Sequence, residues 1–202
     1  MTKKATRLSQ AEFESKAEPP MTKVFASFDG CGEPFREQMT ERLILDVDWY
    51  INESEFEALC TASAEAGDDW FYLSLTRGYL GGPELIPYYT CEIPVFDFEM
   101  YRSAENPPYP KDHDIGIPIE SALWSPQGTW GVLLPDAFVL VGGEARFMDA
   151  FKRHYKGWEQ HLDKFLEGFS EASSLRGADV TWVPRLLHHI YGDDAPEFPA
   201  AS

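Results

Sequence analysis

Seven apolar residues in the C-terminal third of the chain fix one element before anything else is read. Phe147, Phe151, Tyr155, Trp158, Leu162, Phe165 and Phe169 are separated by 4, 4, 3, 4, 3 and 4 positions. Steps of three and four track the 3.6-residue helical turn, so these side chains form one stripe along about six turns. A stripe that aromatic has to be buried against another layer. Gly157 lies in its middle, where a kink or a division into two helices is expected.

Most of what could cover that stripe reads as strand. Residues 42–51 (RLILDVDWYI) and 70–77 (WFYLSLTR) are rich in β-branched and aromatic residues. Residues 88–102 read as a long strand broken at Pro94, and 122–134 as a hairpin about a Ser125-Pro126-Gln127-Gly128 turn. Residues 136–141 give another strand, closed by Gly142 and Gly143. Near the front, 23–28 alternate weakly as a first strand, 29–32 form a turn, and Pro34 opens a short helix to Met39.

Residues 52–66 read as a helix with a Ser54/Glu57 capping box, an apolar face of Phe56, Leu59 and Cys60, and Gly67 as its stop. Residues 180–187 fit either a strand or a helix entered at Pro184. Hairpin-type turns between most strands argue against a doubly wound parallel sheet. The expected class is α+β, a mostly antiparallel sheet packed against a long C-terminal helix that lies across one face. Residues 1–20 and 193–202 read as polar, proline-containing disordered tails, leaving 21–192 as a single domain.

Charge limits the function classes. The chain carries a net −17, distributed as +1 over residues 1–20, −14 over 21–120 and −4 over 121–202. A field of that sign repels nucleic acid and anionic membranes and attracts basic partners. No apolar run approaches the length of a membrane span, and no apolar segment follows Lys3, Lys4 and Arg7 as a signal peptide requires. The expected location is the cytoplasm. There Cys31, Cys60 and Cys91, widely spaced and without a CxxC, read as reduced, mostly buried thiols.

Catalytic and metal motifs are sparse. Asp112-His113-Asp114 lies between prolines and reads as a solvated loop. His154 and His161 are seven apart, not at the i, i+4 spacing of helical zinc pairs, and His188-His189 lies close to the chain end. Ser74 and Ser125 sit in no nucleophile elbow. Residues 78–82 (GYLGG) lack the Lys and Ser/Thr of a phosphate loop. The expectation is no cofactor and no metal.

Carboxylates at two-residue spacing stand out more. Asp46 and Asp48 share one strand face, as do Asp97 and Glu99 opposite Phe96, Phe98 and Met100. If the two strands are neighbours, four carboxylates gather on one surface. Three readings stay open: a solvated outer face, an acidic docking patch for a basic protein, or a working carboxylate pair.

Residues 122–133 (ALWSPQGTWGVL), with Val141-Gly142-Gly143 and the start of the helix at 147–151, resemble segments of bacterial immunity proteins of polymorphic toxin systems. The likeness covers about a quarter of the chain, and its motif is structural. Within it Trp124 and Trp130 flank the turn as a candidate cross-strand pair. The resemblance implies a non-enzymatic inhibitor of a cognate toxin and carries no functional residues with it. Joined to the charge, it gives an acidic binding protein that occludes a basic toxin, possibly a nuclease, through Asp46, Asp48, Asp97 and Glu99. The alternative is an enzyme of unknown reaction using clustered carboxylates in a cleft.

Overall fold

The computed structural model describes residues 5–47, 51–76, 89–105, 120–135 and 137–198. The elements in chain order are α1 (Gln10–Glu12), a π-helical turn (Phe13–Ala17), α2 (Glu18–Val24), β1 (Glu41–Leu45), α3 (Glu53–Ala66), β2 (Trp70–Leu75) and β3 (Cys91–Pro94). There follow α4 (Phe98–Glu105), β4 (Ser121–Trp124), β5 (Trp130–Leu134), β6 (Val139–Gly143), α5 (Ala145–His154), α6 (Gln160–Arg176), α7 (Val183–Tyr191) and a 3-10 turn (Gly192–Asp194). The six strands form one antiparallel sheet in the order β1-β6-β5-β4-β2-β3. The α+β class stands.

Both faces of the sheet are covered. Strand residues alternate between two cores: Leu43, Phe71, Leu123, Val132 and Val141 enter one with α3, α4 and α5. Ile44, Tyr72, Trp124, Leu133 and Leu140 enter the other with α2, α6 and α7. This explains why β4, β5 and β6 carry unbroken apolar runs instead of a clean apolar–polar alternation.

The apolar stripe serves both cores. Gly157, at φ 90°, breaks it into α5 and α6. Phe147, Phe151, Tyr155 and Trp158 pack with α3, while Leu162, Phe165 and Phe169 pack on the opposite side with α7. The stripe is divided at Gly157, one of the two outcomes its position allows, and the long C-terminal helix that packs on the sheet is α6 (Gln160–Arg176), with α5 on the other face.

α3 follows its sequence signals with a shift. Its cap is Asn52, whose side-chain oxygen accepts from Ser54 N–H at 3.0 Å and Glu55 N–H at 3.2 Å, while Glu55 accepts from Asn52 N–H at 2.9 Å. The box is thus Asn52–Glu55 and not Ser54–Glu57. Gly67 closes the helix in the left-handed conformation, φ 104°.

The tails need correction. Residues 5–20 are packed structure: Ser9 and Glu12 form a capping box, and Leu8, Phe13 and Ala17 are buried in the second core. Gly192–Asp194 makes a 3-10 turn, and Ala195 and Phe198 pack on the same core. Residues 199–202 lie outside the described residues.

Two strands and a short helix also change. Residues 18–24 are helical, and Phe25 keeps only an isolated bridge to Phe35 where a strand was expected. No helix forms after Pro34; Met39 N–H closes a turn on Arg36 carbonyl at 3.0 Å. The expected strand over 88–102 stops at Pro94. Phe96 takes φ 65° and Asp97 caps α4, its Oδ1 accepting from Met100 N–H at 3.0 Å. Residues 180–187 resolve in favour of a helix, with Pro184 in the first turn of α7.

Candidate partner-binding surface

Asp46, Asp97 and Glu99 are not brought onto one face. Asp46 follows β1 and Asp97 follows β3, which are the two edge strands of the sheet. Five inter-strand steps separate those edges, roughly 24 Å at the usual spacing. Asp97 spends an oxygen on the cap of α4, and Glu99 stands exposed in that helix's first turn. Asp48 lies outside the described residues. The same-face arrangement fails because β3 ends at Pro94 and the chain turns through Phe96, at φ 65°, before Asp97.

A different acidic surface is present. Glu159, Asp163, Glu167 and Glu171 recur every four residues on α6 and the residue before it, and all four are exposed. They span about 18 Å of helix. None is in an ion pair with a described residue, and Lys164 is the one Lys or Arg between them. Like charges at i, i+4 oppose helix formation by about 0.2–0.5 kcal/mol per pair. Asp46 meets α6 on its buried side and through the backbone, its carbonyl lying 2.9 Å from His161 Nδ1. The four-residue carboxylate period runs through the same sequence window as the apolar stripe and was readable beside it.

An open groove of about 1060 Å³ lies between residues 33–42 and the end of α7, lined in part by Glu33, Arg36, Arg42, His189 and Tyr191. Arg42 organises it. Its Nε donates to Met39 carbonyl at 2.9 Å, one terminal nitrogen donates to Arg36 carbonyl at 3.1 Å, and the other donates to His189 carbonyl. The last contact places a cation at the carbonyl end of α7, where the helix dipole favours it. His189 Nε2 accepts from Phe35 N–H at 3.2 Å. Burial and the neighbouring Arg42 guanidinium push His189 down to about 4, so the ring stays neutral.

The other candidates are engaged in structure. Ser125 Oγ accepts from Gln127 N–H at 3.0 Å inside the hairpin turn, and Ser74 Oγ accepts from Thr90 Oγ1 at 2.9 Å in the core. Burial pushes the Cys31, Cys60 and Cys91 thiols up to about 11, 12 and 11. His154 meets Glu65 at 2.7 Å while His161 meets Tyr155 at 2.8 Å, so the two do not converge. Among the described residues no group of three or more His, Cys, Asp or Glu could hold a metal. No described helix is long and apolar enough to cross a membrane. Residues 78–83 and 112–114 lie outside the described residues. Comparison of the chain with family models, curated proteins and solved structures finds no match.

Proposed function

We propose that this chain is an acidic binding protein, an immunity-type inhibitor that occupies the basic surface of a cognate toxin in the bacterial cytoplasm. The observation that carries the reading is the exposed stripe of Glu159, Asp163, Glu167 and Glu171, free of ion pairs with described residues on a chain of net charge −17. Four carboxylates along one helix face present charge at regular intervals to a surface rich in Lys and Arg, as the phosphates of a nucleic acid would to a nuclease. Repulsion along the stripe, about 1 kcal/mol in total for three i, i+4 pairs, is relieved when a basic partner docks. Inhibition is then steric and electrostatic, and needs no reaction. Asp46 lies near the start of α6, while Asp97 and Glu99 stand on the far edge of the sheet.

Affinity capture of the tagged full chain from its native cell, followed by identification of stoichiometric partners, tests this. A single strongly basic protein whose toxicity is suppressed by the chain is the expected result. Recovery of the chain with an acidic or neutral stoichiometric partner contradicts it.

A further inference from the structure

Glu55, Tyr155 and His161 form a hydrogen-bonded chain at the junction of α3, α5 and α6. Tyr155 Oη lies 3.0 Å from Glu55 Oε1 and 2.8 Å from His161 Nε2, and His161 Nδ1 lies 2.9 Å from Asp46 carbonyl oxygen. Glu55 is 5% exposed and His161 9% exposed, so water does not compete freely for these groups. Glu55 Oε2 is already committed to Asn52 N–H at the cap of α3.

Counting hydrogens decides the state of the chain. Three contacts need three bridging hydrogens. A carboxylate, a phenol and a neutral imidazole supply two. The Asp46 carbonyl can only accept, so His161 Nδ1 carries a hydrogen. Burial and the adjacent Glu55 carboxylate push the Tyr155 hydroxyl up, so it remains a phenol with one hydrogen to give. If Tyr155 donates to Glu55, His161 Nε2 must also carry a hydrogen. If Tyr155 donates to His161, Glu55 must be protonated. Either arrangement requires one further proton.

We infer that a single proton shared along Glu55–Tyr155–His161 closes this junction, so that the latch between α3, the α5–α6 turn and the end of β1 depends on pH. When the proton leaves, Nε2 and Oη confront each other as acceptors and one hydrogen bond is lost. The charged groups within two residues of the three, or bonded to them, are Asp46 after β1, Glu53 and Glu57 on α3, Arg153, His154 and Lys156 beside Tyr155, and Glu159 and Asp163 beside His161; Glu41 on β1 and Lys152 on α5 lie on the same packed elements. Lys152 and Glu41 pair at 2.5 Å and offset each other. Arg153 and His154 are engaged by Glu65 near the other end of α3.

Glu55→Gln is the discriminating variant. A Gln amide can donate to Tyr155 and accept from Asn52, reproducing the protonated arrangement with nothing to titrate. Thermal unfolding and His161 ring 15N shifts are measured on the full chain from pH 5 to 9. Wild type is expected to lose roughly 2–4 °C of Tm relative to Glu55→Gln as pH rises, the effect of one hydrogen bond in a domain this size. His161 in the variant stays neutral with its hydrogen on Nδ1. In wild type the Glu55 carboxyl carbon and the His161 ring shift at the same pH, a readout that stands whether or not the variant folds. Parallel Tm profiles for the two proteins, a neutral Nε2–H ring in the variant, or separate midpoints in wild type overturn the inference.

Discussion

Trp124 and Trp130, six residues apart on one hairpin, are buried on opposite faces of the sheet. Trp124 pairs with Gly131, so Trp130 is one position out of register with it, and a one-residue offset reverses the face. Each indole has its own acceptor: Trp124 Nε1 donates to Ala17 carbonyl at 3.0 Å, and Trp130 Nε1 donates to Asp68 Oδ2 at 2.8 Å. The turn residues therefore do not support a cross-strand tryptophan pair; they distribute the two largest fully buried side chains between the two cores.

The Trp124 bond makes the N-terminal helix part of the fold. Deleting residues 1–20 removes Leu8, Phe13 and Ala17 from the second core and leaves Trp124 Nε1 without its acceptor. Phe13→Ala alone is expected to cost about 3–5 kcal/mol, read as a lower urea midpoint with an unchanged slope. A deletion variant with the wild-type midpoint would return this segment to the status of a tail.

On the other face, Asp68 is the group to remove. It is 3% exposed and also accepts from Gln127 Nε2 at 3.0 Å. Asp68→Ala leaves the buried Trp130 N–H unpaired, at an expected cost of about 1–3 kcal/mol. Asp68→Asn, which keeps an acceptor oxygen, should recover much of that loss. Equal unfolding midpoints for the two variants would contradict the role assigned to this bond.

His189 gives a pH dependence of known sign. The folded chain holds it neutral down to about 4, while an unfolded histidine takes up its proton near 6.5. Between those values the unfolded state binds more protons, so this contribution is intact above about 6.5 and is lost as pH falls toward 4. The ring is partly exposed, which holds the expected loss to about 1–2 kcal/mol. His189→Gln should flatten that part of the urea-midpoint profile between pH 4.5 and 7; a variant with the wild-type slope rules His189 out as the source.

How far the sequence reveals this molecule depends on whether local signals and tertiary packing agree. α3 is legible because a cap, an apolar face and a terminal glycine coincide between Asn52 and Gly67. The 125–128 turn is legible for the same reason, Gly128 N–H closing on Ser125 carbonyl at 3.0 Å. The N-terminal helix is not, because Pro19 and Pro20 read as a helix stop. A π-helical turn precedes them, widening the backbone where proline rings would meet carbonyls four residues back. Residues 96–100 mislead because Phe98 and Tyr101 stack in a helix at three-residue spacing while Phe96, Phe98 and Met100 also satisfy a strand period. The strand period alone puts Asp97 and Glu99 on a sheet face that the structure does not form. The α6 stripe was within reach, since its period is carried by Glu159, Asp163, Glu167 and Glu171 alone.

The association rate of the captured basic partner, measured across a salt series for wild type and for E159Q/D163N/E167Q/E171Q, tests the central claim most directly. Salt shortens the Debye length from about 10 Å at 0.1 M to about 3 Å at 1 M, so a steered encounter slows steeply with salt. Wild type should show that slope, and the quadruple variant should associate more slowly at low salt, with a flatter slope and an unfolding midpoint at or above that of wild type. Identical rates and identical salt slopes for the two proteins would contradict docking through the α6 stripe.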